Sequence, residues 1–227
     1  MNLYLCGGGS GKKIIYALNR FSRKIDKSKP ILYVPLAMNE KKYNSCYNWF
    51  KEEIKYINLG NFEMVRTSKE LSEKNFNNYS AIFIGGGNTY KLLKEIKENS
   101  NYQKINDYLK NGGTIFGGSA GAIIFGKDID CCKLDDKNNI GLKDTLGFNY
   151  LNDYSILCHF KKKNFRKNRK HLKEYSKEHK VIYLPEEDCL VIENNKITLI
   201  GNKKYMIFED NKYAYHNFAN IKKDMLK

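Results

Sequence analysis

Apolar residues in this chain come in short runs, separated by longer polar stretches whose apolar positions recur at helical spacing. The runs at 2–6, 31–36, 81–84 and 114–116, with a weaker one near 62–65, read as buried strands. Between them, residues 12–23 place Ile14, Ile15, Leu18 and Phe21 on one helical face. Residues 43–54 do the same with Tyr47 and Phe50, and 89–97 and 104–110 read as two further helices. Repeated strand-then-helix units predict an α/β fold: a doubly wound, mostly parallel sheet with helices on both faces. Beyond residue 150 the pattern changes to short strands at 155–159, 181–184, 189–193, 196–200, 205–208 and 212–215. Asn194-Asn195 reads as a tight hairpin turn between two of them. Residues 181–215 are expected to extend the same sheet in antiparallel fashion. Nothing in the chain resembles a linker or a repeat, so residues 1–227 are expected to form a single α/β domain.

Composition narrows the function classes. Hydrophobic residues make up 41% of the chain, a globular proportion. No run reaches the roughly 18 apolar residues of a membrane helix, and the first residues lack the pattern of a signal peptide. A cytoplasmic location with no membrane partner is the expectation. The six cysteines form no C-x-x-C pair, so zinc-site spacing is absent, and no metal or cofactor is expected. The net charge of +15 raises nucleic acid as a partner, with residues 161–170 the densest basic run. The excess is spread along the chain and is mostly lysine, which favours a solvated surface over a nucleic-acid interface.

The chemistry concentrates at Gly117-Gly118-Ser119-Ala120-Gly121. This G-x-S-x-G sequence follows a predicted strand and precedes a small, then apolar, segment. A sharp turn there would lift a serine hydroxyl above the sheet edge, whereas the plainer reading is a turn whose serine caps a helix. A serine nucleophile needs a base. Of the four histidines, His159 alone ends an apolar strand; His171 and His179 lie in a charged helical stretch and His216 near the end. A carboxylate must then orient the imidazole. Asp128, Asp130, Asp135, Asp136, Asp144 and Asp153 all lie between serine and histidine, and spacing does not choose among them. The turn Gly85-Gly86-Gly87-Asn88-Thr89 ends another strand on the same side of the sheet. It could offer an N–H to an oxyanion hole beside that of Ala120, or bind an anion at a helix start. Gly7-Gly8-Gly9-Ser10-Gly11-Lys12-Lys13 suggests a nucleotide loop but fails that pattern at Cys6 and Lys13. It reads instead as a close backbone approach to the crevice.

Taken together, these motifs resemble the peptidase E family of serine peptidases, which includes aspartyl dipeptidase and, more distantly, cyanophycinase. The shared features are the apolar-Gly-Gly-Gly-Asn-Thr stretch at 84–93, Gly-x-Ser-Ala-Gly-Ala at 117–122, Asp-x-Asn-x-apolar-Gly-Leu at 136–142 and His159-Phe160 at a strand end. The resemblance implies a flavodoxin-like core related to class I glutamine amidotransferases. It implies Ser119 as nucleophile, His159 as general base and Asp136 as third member, with Asp135 competing. It further implies an oxyanion hole from Gly87 and Ala120, and substrate contacts from Gly86, Asn88 and Thr89. The expected activity is hydrolysis of short peptides, in the narrower form dipeptides beginning with Asp, by a monomer or homodimer. An esterase or amidase of the same fold, or a basic nucleic-acid-associated protein, is the alternative. The chain departs from the dipeptidase branch at Cys158, where that branch carries proline before the histidine.

Overall fold

The structure is a computed structural model that describes residues 1–216. Five strands form its parallel centre: β1 (Asn2–Cys6), β2 (Ile31–Val34), β3 (Phe62–Met64), β4 (Ala81–Ile84) and β5 (Thr114–Gly118). The helices between them are α1 (Ile15–Ser22), α2 (Tyr43–Glu53), α3 (Ser68–Glu73), α4 (Thr89–Lys97) and α5 (Asn101–Lys110), and α6 (Ala120–Ile123) follows β5. The remaining elements are β6 (Tyr154–Leu157), α7 (Lys162–Tyr175), β7 (Lys180–Tyr183), β8 (Cys189–Glu193), β9 (Lys196–Ile200), β10 (Tyr205–Glu209) and β11 (Lys212–His216).

The main sheet has seven strands in the order β3-β2-β4-β5-β1-β8-β9, parallel up to β1 and antiparallel beyond it. Its central strands are buried on both faces, which is why they read as unbroken apolar runs. Alternate side chains feed two cores. Leu3, Leu5, Ile82 and Ile84 pack towards α4 and α5, while Tyr4, Tyr33, Phe83 and Phe116 pack towards α1 and α2.

The antiparallel extension contains only β8 and β9; the other late strands build a separate four-stranded sheet, β11-β10-β7-β6. This corrects the expectation of one continuous sheet over 181–215. The cause lies in the segment after β7. Gly7 donates its N–H to the Asp188 carbonyl at 2.9 Å and Gly9 to that of Glu186 at 2.8 Å. The chain is thereby carried across to the free edge of β1, and β10 later returns to β7. Both hairpin turns use residues with positive φ, Asn194-Asn195 (50° and 56°) and Asp210-Asn211 (51° and 58°). That backbone matches the strand twist.

Helix starts also differ from expectation. Gly11–Ile14 is a 3-10 turn before α1, because the Gly11 N–H is held by both oxygens of the buried Glu53 carboxylate, at 2.8 and 3.0 Å. The short α3 has no counterpart among the helices the sequence pattern predicts, although Thr67 caps it by accepting from the Glu70 N–H at 3.1 Å. α5 begins at Asn101, whose buried amide donates to Ser68.

Candidate active site

Ser119 sits between β5 and α6 with φ 52° and ψ −115°, a backbone conformation that residues other than glycine rarely adopt. The neighbours make the turn feasible. A Cβ on Gly117 would lie 2.2 Å from the Gly121 carbonyl oxygen, and one on Gly121 would lie 2.2 Å from that of Ile84. Only glycine lets strand and helix approach this closely. The Ser119 N–H donates to the Cys6 carbonyl at 3.1 Å, which ties the turn to the end of β1.

His159 follows β6 and also has positive φ, 61°. Its N–H donates to the Gly7 carbonyl at 2.9 Å. The imidazole Nε2 lies 2.8 Å from Ser119 Oγ, and Nδ1 lies 3.0 Å from Glu186 Oε1. A carboxylate on Nδ1 can only accept, so that nitrogen carries the proton and Nε2 accepts from the serine hydroxyl.

The carboxylate on the histidine is therefore Glu186, and the expectation of Asp136 is corrected. Asp136 Oδ2 accepts from the Thr89 N–H at 2.8 Å and from its hydroxyl at 2.6 Å, so it caps α4. Asp135 is no substitute: it pairs with Lys167 at 2.8 Å and accepts from Asn168 at 2.7 Å. Glu186 lies beyond both Ser119 and His159 in the chain, outside the interval that holds the candidate aspartates. Its signal was a carboxylate just past the strand end at Tyr183, after Pro185, on the side of the sheet where ligands gather.

Glu186 is held by cations as well. Lys161 Nζ lies 2.7 Å from Oε1, and Lys13 Nζ lies 3.1 Å from Oε2. Burial by itself would raise its pKa, but the hydrogen bonds from Lys161, His159 and Lys13 outweigh that and bring it down to about 2. The acid is ionised throughout the neutral range. No thiol competes as nucleophile: all six cysteines are buried, and burial holds the pKa of Cys46 up and that of Cys158 well up. Cys158 itself, in the place of the branch's proline, directs its sulfur at the carbonyls of Ser119 and Cys6.

The two glycine turns meet here. A Cβ on Gly8 would lie 2.2 Å from the imidazole Cε1, and one on Gly9 would lie 2.4 Å from the Glu186 carbonyl oxygen. The first turn is thus a bare backbone wedge beneath the histidine and the acid. Its Gly11 N–H, which a phosphate would need, is already taken by Glu53. From the second turn, Gly86 lies against the serine, where an added Cβ would be 3.1 Å from Ser119 Cβ. Gly86 and Gly87 line a cavity of about 470 Å³ together with Ser119 and His159. Ala120 opens α6, so its N–H belongs to the first turn of a helix, where donors have no helical acceptor. Asn88 and Thr89, expected as substrate contacts, are not among the residues that line this cavity. The Asn88 side chain accepts from Lys91 N–H and donates to the Lys137 carbonyl, both at 2.9 Å, and Thr89 is fully buried against Asp136. Among the described residues no cluster of ligating side chains could hold a metal ion, and no helix is long and apolar enough to cross a membrane.

The family model for peptidase family S51 matches residues 3–200. Peptidase E of a Nostoc species is 25% identical in an alignment that covers 92% of this chain and 88% of that protein. Peptidase E of Escherichia coli is 29% identical over 142 residues, 58% of this chain and 60% of its own length. Among solved structures, a peptidase from an acI-B1 Actinobacterium superposes with a TM-score of 0.72 at 18% identity, covering 96% of this chain and 95% of that one, a likeness of fold. The match over most of its length makes this chain a member of peptidase family S51, a serine-type peptidase.

Proposed function

We propose that the protein hydrolyses short peptides with Ser119 as nucleophile, His159 as general base and Glu186 as the acid that orients the imidazole. The observation that carries this reading is the unbroken hydrogen-bonded line from Ser119 Oγ through the imidazole to Glu186, at 2.8 and 3.0 Å. Nε2 takes the hydroxyl proton as Oγ attacks the scissile carbonyl. The ionised Glu186 stabilises the resulting imidazolium, which then protonates the leaving amine. Water repeats the attack on the acyl-enzyme and returns the serine. Negative charge on the tetrahedral oxygen is met by the N–H of Ala120 and by an N–H of the Gly86-Gly87 turn.

The narrower reading, dipeptides beginning with Asp, draws on the family resemblance. Lys13 and Lys161, which pair with Glu186, are thereby engaged and do not favour an acidic substrate over others.

Ser119→Ala should lower kcat on any cleaved peptide by about 10⁴-fold or more while the folded protein melts as the parent does. A fluorophosphonate adduct should map to Ser119. Turnover at the parent rate in Ser119→Ala would end the proposal.

A further inference from the structure

The cavity beside Ser119 runs beneath the strand ends towards α2, and its chemistry is uneven. We infer that it receives an apolar or aromatic side chain of the peptide, from a residue flanking the scissile bond. This deepens the peptidase reading and rests on it for the location of that bond.

Three aromatic side chains, Tyr33, Phe83 and Phe116, project from β2, β4 and β5 on the face that packs against α1 and α2 and line the cavity. Phe83 and Phe116 are stacked with centroids 4.8 Å apart. Trp49 of α2 faces Phe83 edge-on, with centroids 6.2 Å apart and planes at 62°. Tyr33 stands at 67° to Phe83. Cys46 completes this wall. Tyr33, Phe83 and Phe116 are 1–4% exposed and form the base of the cavity, while Trp49, 39% exposed, offers the ring surface that another ring or a branched aliphatic chain would pack against.

An acidic side chain fits poorly. Among the residues lining the cavity, the only lysine or arginine is Lys42, an exposed residue at the start of α2. A carboxylate entering the cavity would exchange water for aromatic faces, whose quadrupole is negative. The volume of about 470 Å³ lies within the range of small-molecule sites and exceeds what an aspartate would fill.

The test uses two dipeptide series, Xaa-Ala and Ala-Xaa, with Phe, Leu, Ala or Asp at the variable position. In one series, Phe or Leu should exceed Asp in kcat/KM by at least about tenfold. Trp49→Ala should narrow that ratio. A second readout needs no hydrolysis. Trp49 is the only tryptophan in the chain, so its fluorescence reports occupancy of the cavity. Titrated into Ser119→Ala, the favoured Phe peptide should give a saturable change at a concentration at least about tenfold lower than the matching Asp peptide. Cleavage through Ser119 with Asp preferred in both series overturns the cavity assignment and leaves the peptidase reading standing. If no peptide is cleaved, the peptidase reading falls and the titration decides the cavity alone. Equal or reversed affinities, or no fluorescence change, overturn it.

Discussion

The two glycine turns look alike as letters and do different work. Gly7-Gly8-Gly9 closes on protein: its backbone fills the space under His159 and Glu186, and its N–H and C=O groups bind residues 159, 186 and 188. Gly85-Gly86-Gly87 instead meets the nucleophile, with Gly86 against Ser119 and Gly87 against the Ala37 carbonyl, and Gly86 and Gly87 line the cavity as Gly8 and Gly9 do. Each turn is also paired with an acid. Glu186 beside the first faces an imidazole, whereas Asp136 beside the second faces the start of a helix. The comparison teaches that glycine at a strand end reports a close approach without reporting what approaches. The acid's partner separates chemistry from architecture.

The sharpest way to break this comparison is to neutralise the two acids separately. Glu186→Gln should lower kcat by about 10⁴-fold, because an amide no longer enforces the tautomer that leaves Nε2 free to accept. Steady-state kinetics on a cleaved peptide measures this, and a loss below tenfold would remove Glu186 from the mechanism. Next in size is Gly8→Ala. It places a methyl against the imidazole at a φ of 111°, and a displacement of the base by about 1 Å should cost about 10²-fold in kcat. Asp136→Asn should do the reverse of Glu186→Gln. It weakens the charged cap on Thr89 and should lower stability by about 1–2 kcal/mol, a few degrees in Tm, with far less effect on kcat.

The smallest effect concerns two acids two positions apart with opposite linkage. Glu186, depressed to about 2, adds stability above the ordinary carboxylate range, which is lost as pH falls through about 2. Asp188 is fully buried with one oxygen unpartnered, and burial raises its pKa to about 7. Folding therefore favours its protonated form, and that contribution, complete at low pH, is lost as pH rises through about 7. Asp188→Asn should accordingly stabilise by about 1 kcal/mol at pH 8 and make little difference at pH 4, a contrast that denaturant melts at the two values would read.

Much of this was legible in the sequence. The parallel core followed from apolar runs alternating with helical patterns, because strands buried on both faces carry few polar residues. Ser119 and His159 were legible because each sits at a strand end in a recognisable local setting. Glu186 was not, since it lies 27 residues beyond the histidine and reaches it only because the chain crosses to the free edge of β1. Asp136 matched a motif for a different reason: the sequence around it is specified by the need to cap α4. The second sheet was missed for the same kind of reason as Glu186, as strand patterns give period and length but not the edge at which a strand docks.

The end of β1 has a consequence for assembly. Ser119, His159 and Glu186 belong to distant parts of the chain, yet the first two bind residues 6 and 7 through their N–H groups, and the third accepts from the N–H of Gly9 through its carbonyl. The opening strand thus works as a jig, and it is itself clamped between β5 and β8. A chain cut before residue 186 would lack both β8 and the acid and would expose one side of that jig, so on the proposed mechanism it should not hydrolyse peptides.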